Sequence, residues 1–405
     1  MVMIGQAFED GARGVPERGL EVRRFEPALR GGRGDGAQGV RRWRRTPHPG
    51  GFDMRAIARC AARVLRAQVL LALSWVAPAW AGESHGTVAV LWDNDSFLSD
   101  DDLHYTNGLG LAWLWAPDRE PAPLARLAAA LPWGVAGAER RVGFAIGQSI
   151  FTPDDLSRRE LILDDQPYAG WLYVALAALS HRDRAQGAVV GDLESFEIIL
   201  GVVGPSAFAG DVQTAWHEIK EITRPRGWDH QLRNEPGLVL AYNRQWRYCA
   251  DLGGIDCRTA GSGAASIDWI PYLGGTLGNV YTYLAAGATL RLGEGLPSDF
   301  NHSRIRPGLP VWSWGTPADG FNWHVFASAE GRLVGRNIFL DGNTFRDSHS
   351  VSKRPLVGDV EVGFTVSWDI PLPISVTYRH LIRAPEFEGQ RGIDNIDSLS
   401  IAVSF

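Results

Sequence analysis

Beyond residue 81 the chain has no apolar run near the about 20 residues that a membrane-crossing helix needs, so a helical membrane protein is excluded. Cysteine is scarce, with three in 405 residues. Cys60 falls in the N-terminal segment treated next, which leaves Cys249 and Cys257 around a Gly- and Asp-rich stretch. They stand eight positions apart and no further Cys or His stands near, which argues against a metal knuckle. In an exported protein such an even pair predicts a disulfide. A basic excess is missing too, once the N-terminus is set apart. Residues 1–81 hold 14 Arg and 7 acidic residues, so the rest keeps 26 basic and 39 acidic side chains, a net −13. A nucleic-acid surface is therefore not expected. An acidic surface on an exported protein is compatible with divalent cations.

Residues 1–53 are rich in Arg and Gly and have no apolar period. We expect them to be a non-native upstream extension, with Met54 as the true start. Arg55, Arg59, Arg63 and Arg66 then precede the apolar run Val69 to Val76 and the small-residue site Ala79-Trp-Ala81. A charged start, a short apolar middle and an A-x-A site predict a signal peptide over residues 54–81. Residues 82–405 are expected to be the mature domain.

What is present throughout that domain is alternation. Leu399, Ile401, Val403 and Phe405 alternate with Ser398, Ser400, Ala402 and Ser404. Val360, Val362, Phe364, Val366 and Trp368 alternate with Asp359, Glu361, Gly363, Thr365 and Ser367. Period two gives each strand one apolar and one polar face. The polar face carries Arg, Glu and Asp, the segments are about ten residues long, and the chain ends on an aromatic. These features mark an all-β, antiparallel transmembrane β-barrel rather than a soluble sandwich. Trp113, Trp115, Trp171 and Trp368 are expected in its aromatic girdles. Twelve strands are predicted, at 86–94, 105–115, 142–150, 168–180, 191–203, 236–248, 265–275, 280–292, 322–334, 357–369, 374–383 and 395–405. Both ends then face the periplasm. Alternate connections, including 95–104, 151–167 and 204–235, lie at the outer rim. The periplasmic connections 116–141 and 293–321 are unusually long. Arg291, Glu330, Arg332 and Glu361 are expected to fill and brace the interior.

The connection 204–235 holds a predicted short helix over residues 211–222, capped by Asp211 and stopped by Pro225 and Gly227. Val212, Trp216 and Ile219 form its apolar stripe; Gln213 and His217, one turn apart, share another face. Gly170 is placed for a close backbone approach. Asp93, Asn94 and Asp95 end the first strand and Thr106 begins the second. Read alone, that cluster fits a solvated turn as well as a Ca²⁺ site of hard oxygen donors. His217 falls at the same rim and could activate water as a general base. His230, in a loop, is its rival.

In order along the chain stand Asn94-Asp-Ser-Phe97, Tyr105-Thr-Asn-Gly108, Gln166-Pro-Tyr-Ala-Gly-Trp-Leu-Tyr173, Val203-Gly-Pro-Ser-Ala207, Gln213-Thr-Ala-Trp-His217 and Gly227-Trp-Asp-His-Gln231. Together with the ending Ser398 to Phe405, this set resembles the outer-membrane lipid A deacylase family. The resemblance implies a twelve-stranded barrel in the bacterial outer membrane that removes 3′-linked acyloxyacyl chains from lipid A with Ca²⁺. It implies that Asn94, Asp95 and Thr106 match the essential polar residues near the metal, and that His217 matches the water-activating base. The expected partners are lipid A or lipopolysaccharide and outer-membrane lipids, with the chain acting as a monomer. Two other readings are an outer-membrane phospholipase, which would need a Ser nucleophile paired with His and Asn, and a non-catalytic barrel or pore.

Overall fold

The computed structural model describes residues 86–95, 104–130, 138–184, 189–250, 265–296, 300, 320–369 and 373–405. The expected extension 1–53, the expected signal peptide 54–81 and Cys257 lie outside these residues, so only Cys249, at the end of a strand, is placed.

Twelve antiparallel strands close into one barrel. They are β1 Gly86–Asn94, β2 Tyr105–Trp115, β3 Glu139–Phe151, β4 Ala169–Asp183, β5 Val189–Val203, β6 Glu235–Ala250, β7 Ala265–Gly278, β8 Tyr281–Glu294, β9 Asn322–Asn337, β10 Leu356–Trp368, β11 Ile374–Arg383 and β12 Asp394–Ser404. Their ends differ from the sequence expectation by three residues at most. β1 pairs with β12 as well as with β2, so no sheet edge is left open. The amides of Gly86 and Phe405 each donate to the other's carbonyl, which places both ends of the barrel chain at one rim. Among the described residues no helix is long and apolar enough to cross a membrane.

The burial pattern is that of a soluble protein turned inside out. Leu109, Leu284, Val360 and Val362 are exposed on the outer wall, whereas Arg247, Asp268, Arg291 and Arg379 are buried within. Such a wall is stable only where its apolar face meets lipid rather than water. Inside, charges are satisfied by one another, as burial demands. Asp268 accepts from Arg247 Nε at 2.7 Å and from Arg291 Nη2 at 2.6 Å. Asp359 likewise accepts from Arg383 and Arg332, and Arg379 faces Glu361 at 3.9 Å. Arg291, Arg332 and Glu361 thus brace the interior as expected.

One sequence expectation needs correction here. Trp171 is not a girdle residue: it is fully buried inside the barrel, stacked on Tyr173 at 5.8 Å. The alternation puts it on the inward face with Ser149, its cross-strand partner. Trp113 and Trp115, packed near Phe405 at the rim of the chain ends, do fit a girdle. The long connection 116–141 contains the helix α1, Ala122–Ala130.

At the opposite rim the loops are knitted together. Gln166 Nε2 donates to the carbonyls of His104 and Thr152, joining the β1–β2 and β3–β4 connections. Asn343, after β9, bonds the backbone of Arg233, before β6, in both directions. Phe339 turns inward and stacks on Phe151 at 3.8 Å, filling the mouth of the barrel.

Candidate active site

The helix α2 runs over Ala209–Lys220, entered through a 3-10 turn at Pro205–Ala207. It begins two residues earlier than the sequence suggested. Asp211 does not cap it: Phe208 holds the cap position with a left-handed backbone and no side-chain bond, and Asp211 lies in the first turn. There an acidic side chain still complements the helix dipole.

α2 lies against the outer wall, not in the lumen. Gly170 of β4 faces outward at the point of closest approach. A side chain there would bring its first carbon within 2.5 Å of Ala209 Cβ and 2.9 Å of Ala207 Cβ. The glycine therefore lets the helix reach the wall, as its position in the sequence suggested. Gln148, on the outer face of β3, donates to the Ala207 carbonyl at 2.6 Å. Trp216 meets Trp92 of β1 edge-on at 5.8 Å. Of the expected apolar stripe only Trp216 touches the barrel. Val212 and Ile219 are each 43% exposed, while Ala209, Gln213 and His217 are buried against the wall. On a lipid-facing exterior this arrangement is physically sensible: Val212 and Ile219 meet lipid and the polar Gln213–His217 face is enclosed.

The four predicted site residues are all buried. Asn94 shares the outward face of β1 with Trp92, and its side-chain amide donates to the Thr106 carbonyl at 3.0 Å. Asp95 follows directly and is also buried. Thr106 sits at a register shift between β2 and β3, which turns its hydroxyl to that of Thr152 at 2.7 Å. Asp93, by contrast, faces the lumen and accepts from the Tyr105 hydroxyl at 3.0 Å. The strand ends carrying Asn94 and Thr106 and the helix carrying His217 thus share the outer face of one rim. Asn94 Oδ1, the Asp95 carboxylate and the Thr106 hydroxyl supply hard oxygen donors, a set that suits Ca²⁺ in its chemistry.

His217 Nδ1 bonds the carbonyl of Thr223, just past the helix. A carbonyl can only accept, so Nδ1 carries the proton and Nε2 is the basic nitrogen. His230 is exposed on the 3-10 turn Trp228–His230. Trp228, beside it, has a role the sequence did not reveal. Its ring N–H donates to Gln213 Oε1 at 2.9 Å. That fixes which way the amide points, since an indole can only donate. Gln213 Nε2 is buried and makes no hydrogen bond among the described residues. Sequence spacing placed Gln213 beside His217 but could not show this oriented amide. The string Gly82-Glu-Ser-His-Gly86 matches the spacing of a serine-hydrolase elbow. Of that string only Gly86, the first residue of β1, lies among the described residues.

A second polar cluster was missed altogether. His104, buried, faces Asp154, Asp165 and Asp394. Burial opposes its charge, but the carboxylates of Asp165 and Asp394 beside it more than reverse this, and its pKa is pushed up to about 10. Burial likewise works against the Asp165 carboxylate, yet His104 and the amides of Asp154 and Gln166 outweigh it and hold the group below its usual range.

A closed barrel with an apolar exterior, a charge-filled lumen and a polar cleft under an external helix defines an integral outer-membrane protein with a rim-level site. The chain belongs to the family described as outer membrane protein LpxR, whose model matches residues 67–405. Among solved structures it is similar to LpxR from Salmonella typhimurium, at 21% identity and a TM-score of 0.61, over 79% of this chain and all of that one. The β domain of the Bordetella autotransporter BrkA matches 80% of this chain and all of its own at 10% identity, with a TM-score of only 0.38. No curated protein matches the chain in sequence.

Proposed function

We propose that the protein is an outer-membrane ester hydrolase that removes acyl or acyloxyacyl chains from lipid A, at the 3′-linked position that the family resemblance implies. The carrying observation is His217. It is buried on the wall-facing side of an external helix, with Nδ1 held by a carbonyl and Nε2 basic. Lipid A brings its ester bonds to the level of this rim, and its acyl chains can run down the apolar exterior below.

In this reading Nε2 of His217 takes a proton from water as the water oxygen bonds to the ester carbonyl carbon. Gln213 Nε2, already oriented by Trp228, donates to the carbonyl oxygen as it gains charge. The carbonyl then re-forms as the bond between the acyl carbon and the sugar oxygen breaks. The leaving alkoxide takes the proton back from His217, and the acyl chain departs as the acid. Asn94, Asp95 and Thr106 would hold a Ca²⁺ ion, whose charge would add to the stabilisation of that oxygen. Asn94 and Thr106 also position each other through their mutual bond. The site is built from one chain, which supports action as a monomer.

Purified protein assayed on lipid A and on phospholipid, with and without chelator, tests this reading. Lipid A should lose acyl chains only with Ca²⁺ present. His217→Ala, with the barrel intact on a heat-shift gel, should lose about 10²- to 10⁴-fold in rate, the range of a general base. Cleavage of phospholipid alone would point to a phospholipase. No lipid A product at any Ca²⁺ level would reject the proposal.

A further inference from the structure

On the lumen side of the same rim, three side chains from two loops converge without a role in the chemistry above. His104 Nε2 lies 3.4 Å from Asp154 Oδ1 and 3.4 Å from Asp165 Oδ1. The three ligand atoms all fall within 4.8 Å of one another. Both 3.4 Å distances exceed the about 2.7–2.9 Å of a charge-assisted hydrogen bond. They equal the edge of a tetrahedron of donors set about 2.0–2.1 Å from a central Zn²⁺. The other ring nitrogen behaves differently. Nδ1 is 2.7 Å from Asp394 Oδ1, at the start of β12. A carboxylate on one nitrogen with the second nitrogen facing the donors is how metal-binding histidines are oriented.

Three further observations agree. Asp154 Oδ1 is buried and makes no hydrogen bond among the described residues. Three carboxylates surround one imidazole, so even a protonated ring leaves a negative excess, which Arg391 beside Asp154 offsets only in part. His104 also holds a left-handed backbone, φ 50°, which a non-glycine residue keeps only when its surroundings dictate it.

We propose that His104, Asp154 and Asp165 form a transition-metal site of the Zn²⁺ class, with Asp394 as the positioning residue for His104 and solvent in the remaining position. The imidazole ligand favours Zn²⁺ over Ca²⁺ and Mg²⁺, which take oxygen. The site fastens the β1–β2 connection to the β3–β4 connection and, through Asp394, to β12. It is distinct from Asn94, Asp95, Thr106 and His217 and stands whether or not the lipid A reading does.

The test uses the full untagged chain in detergent, stripped with chelator and titrated with Co²⁺ and then Zn²⁺. One equivalent of Co²⁺ should give a visible tetrahedral absorption band that one equivalent of Zn²⁺ abolishes and a hundredfold excess of Ca²⁺ does not. His104→Gln should abolish the band, and Asp154→Asn should weaken it. Asp394→Asn should reduce affinity by about 10- to 100-fold, the range for an orienting partner. His217→Ala should bind as wild type. Asp154 is part-exposed at the loop surface, so its variant tests the site even if His104→Gln fails to fold. Absence of a stoichiometric band in the wild type, its displacement by Ca²⁺, or a band unchanged in Asp154→Asn would each overturn the proposal.

Discussion

At the scale of single residues, the site divides into what spacing can reveal and what only contact can. Asn94, Asp95, Thr106 and His217 stood out because oxygen donors cluster at strand ends and because the strand count put them at one rim. Gln213 shared a helix face with His217, but its amide is aimed by Trp228, 15 residues on. A sequence does not show such a bond. His104 is a stronger case: its anchor, Asp394, is 290 residues away, and nothing local distinguishes this histidine from a loop residue. The oriented amide makes a sharp prediction. Gln213→Glu keeps an acceptor for the Trp228 N–H but removes the donor. Its kcat on lipid A should fall about 10²- to 10³-fold, as when one oxyanion donor is lost, with KM little changed. A kcat within twofold of wild type would remove Gln213 from the proposed mechanism.

At the scale of elements, strands were legible because alternation is strict on a wall with lipid outside and charge within. The helix was less so. Its existence and its Gln213–His217 face were readable, but spacing did not say which face meets the wall. The usual rule that the apolar side packs inward assumes water outside; here Val212 and Ile219 turn away from the wall. Trp171 failed for a related reason, since an aromatic at a strand end can serve the girdle or the lumen and only its parity decides. The element on which the site most depends is the contact between Gly170 and the helix entry. Gly170→Leu should push α2 off the wall through Ala207 and Ala209. A displacement near 1 Å can cost about 10²-fold in rate. The barrel should still migrate as folded before heating, because the side chain adds bulk only outside. Full activity in this variant would show that helix placement does not set the site.

At the scale of the whole molecule, the inverted burial pattern is itself testable. Val362 lies mid-strand on β10 and is 47% exposed. In a bilayer, Val362→Arg should destabilise the barrel by about 2–4 kcal/mol, read from its urea unfolding midpoint in lipid. An unchanged midpoint would contradict a lipid-facing wall. Inside, Asp268 is shared by two buried arginines. Asp268→Asn leaves both without their counter-charge and should cost about 3–5 kcal/mol in the same assay. The barrel could be foreseen almost strand by strand; the knitting of its loops could not. Contacts such as Asn343 with Arg233 join segments 110 residues apart and carry no periodic signal.

All three scales meet in His217, a base on a helix held outside a barrel. The most direct test is mass spectrometry of lipid A after incubation of outer-membrane vesicles with Ca²⁺, comparing vesicles that carry the wild-type protein with vesicles that carry His217→Ala. The account predicts loss of an acyloxyacyl mass in the first and intact lipid A in the second, at equal barrel content. Equal acyl loss in both would contradict it.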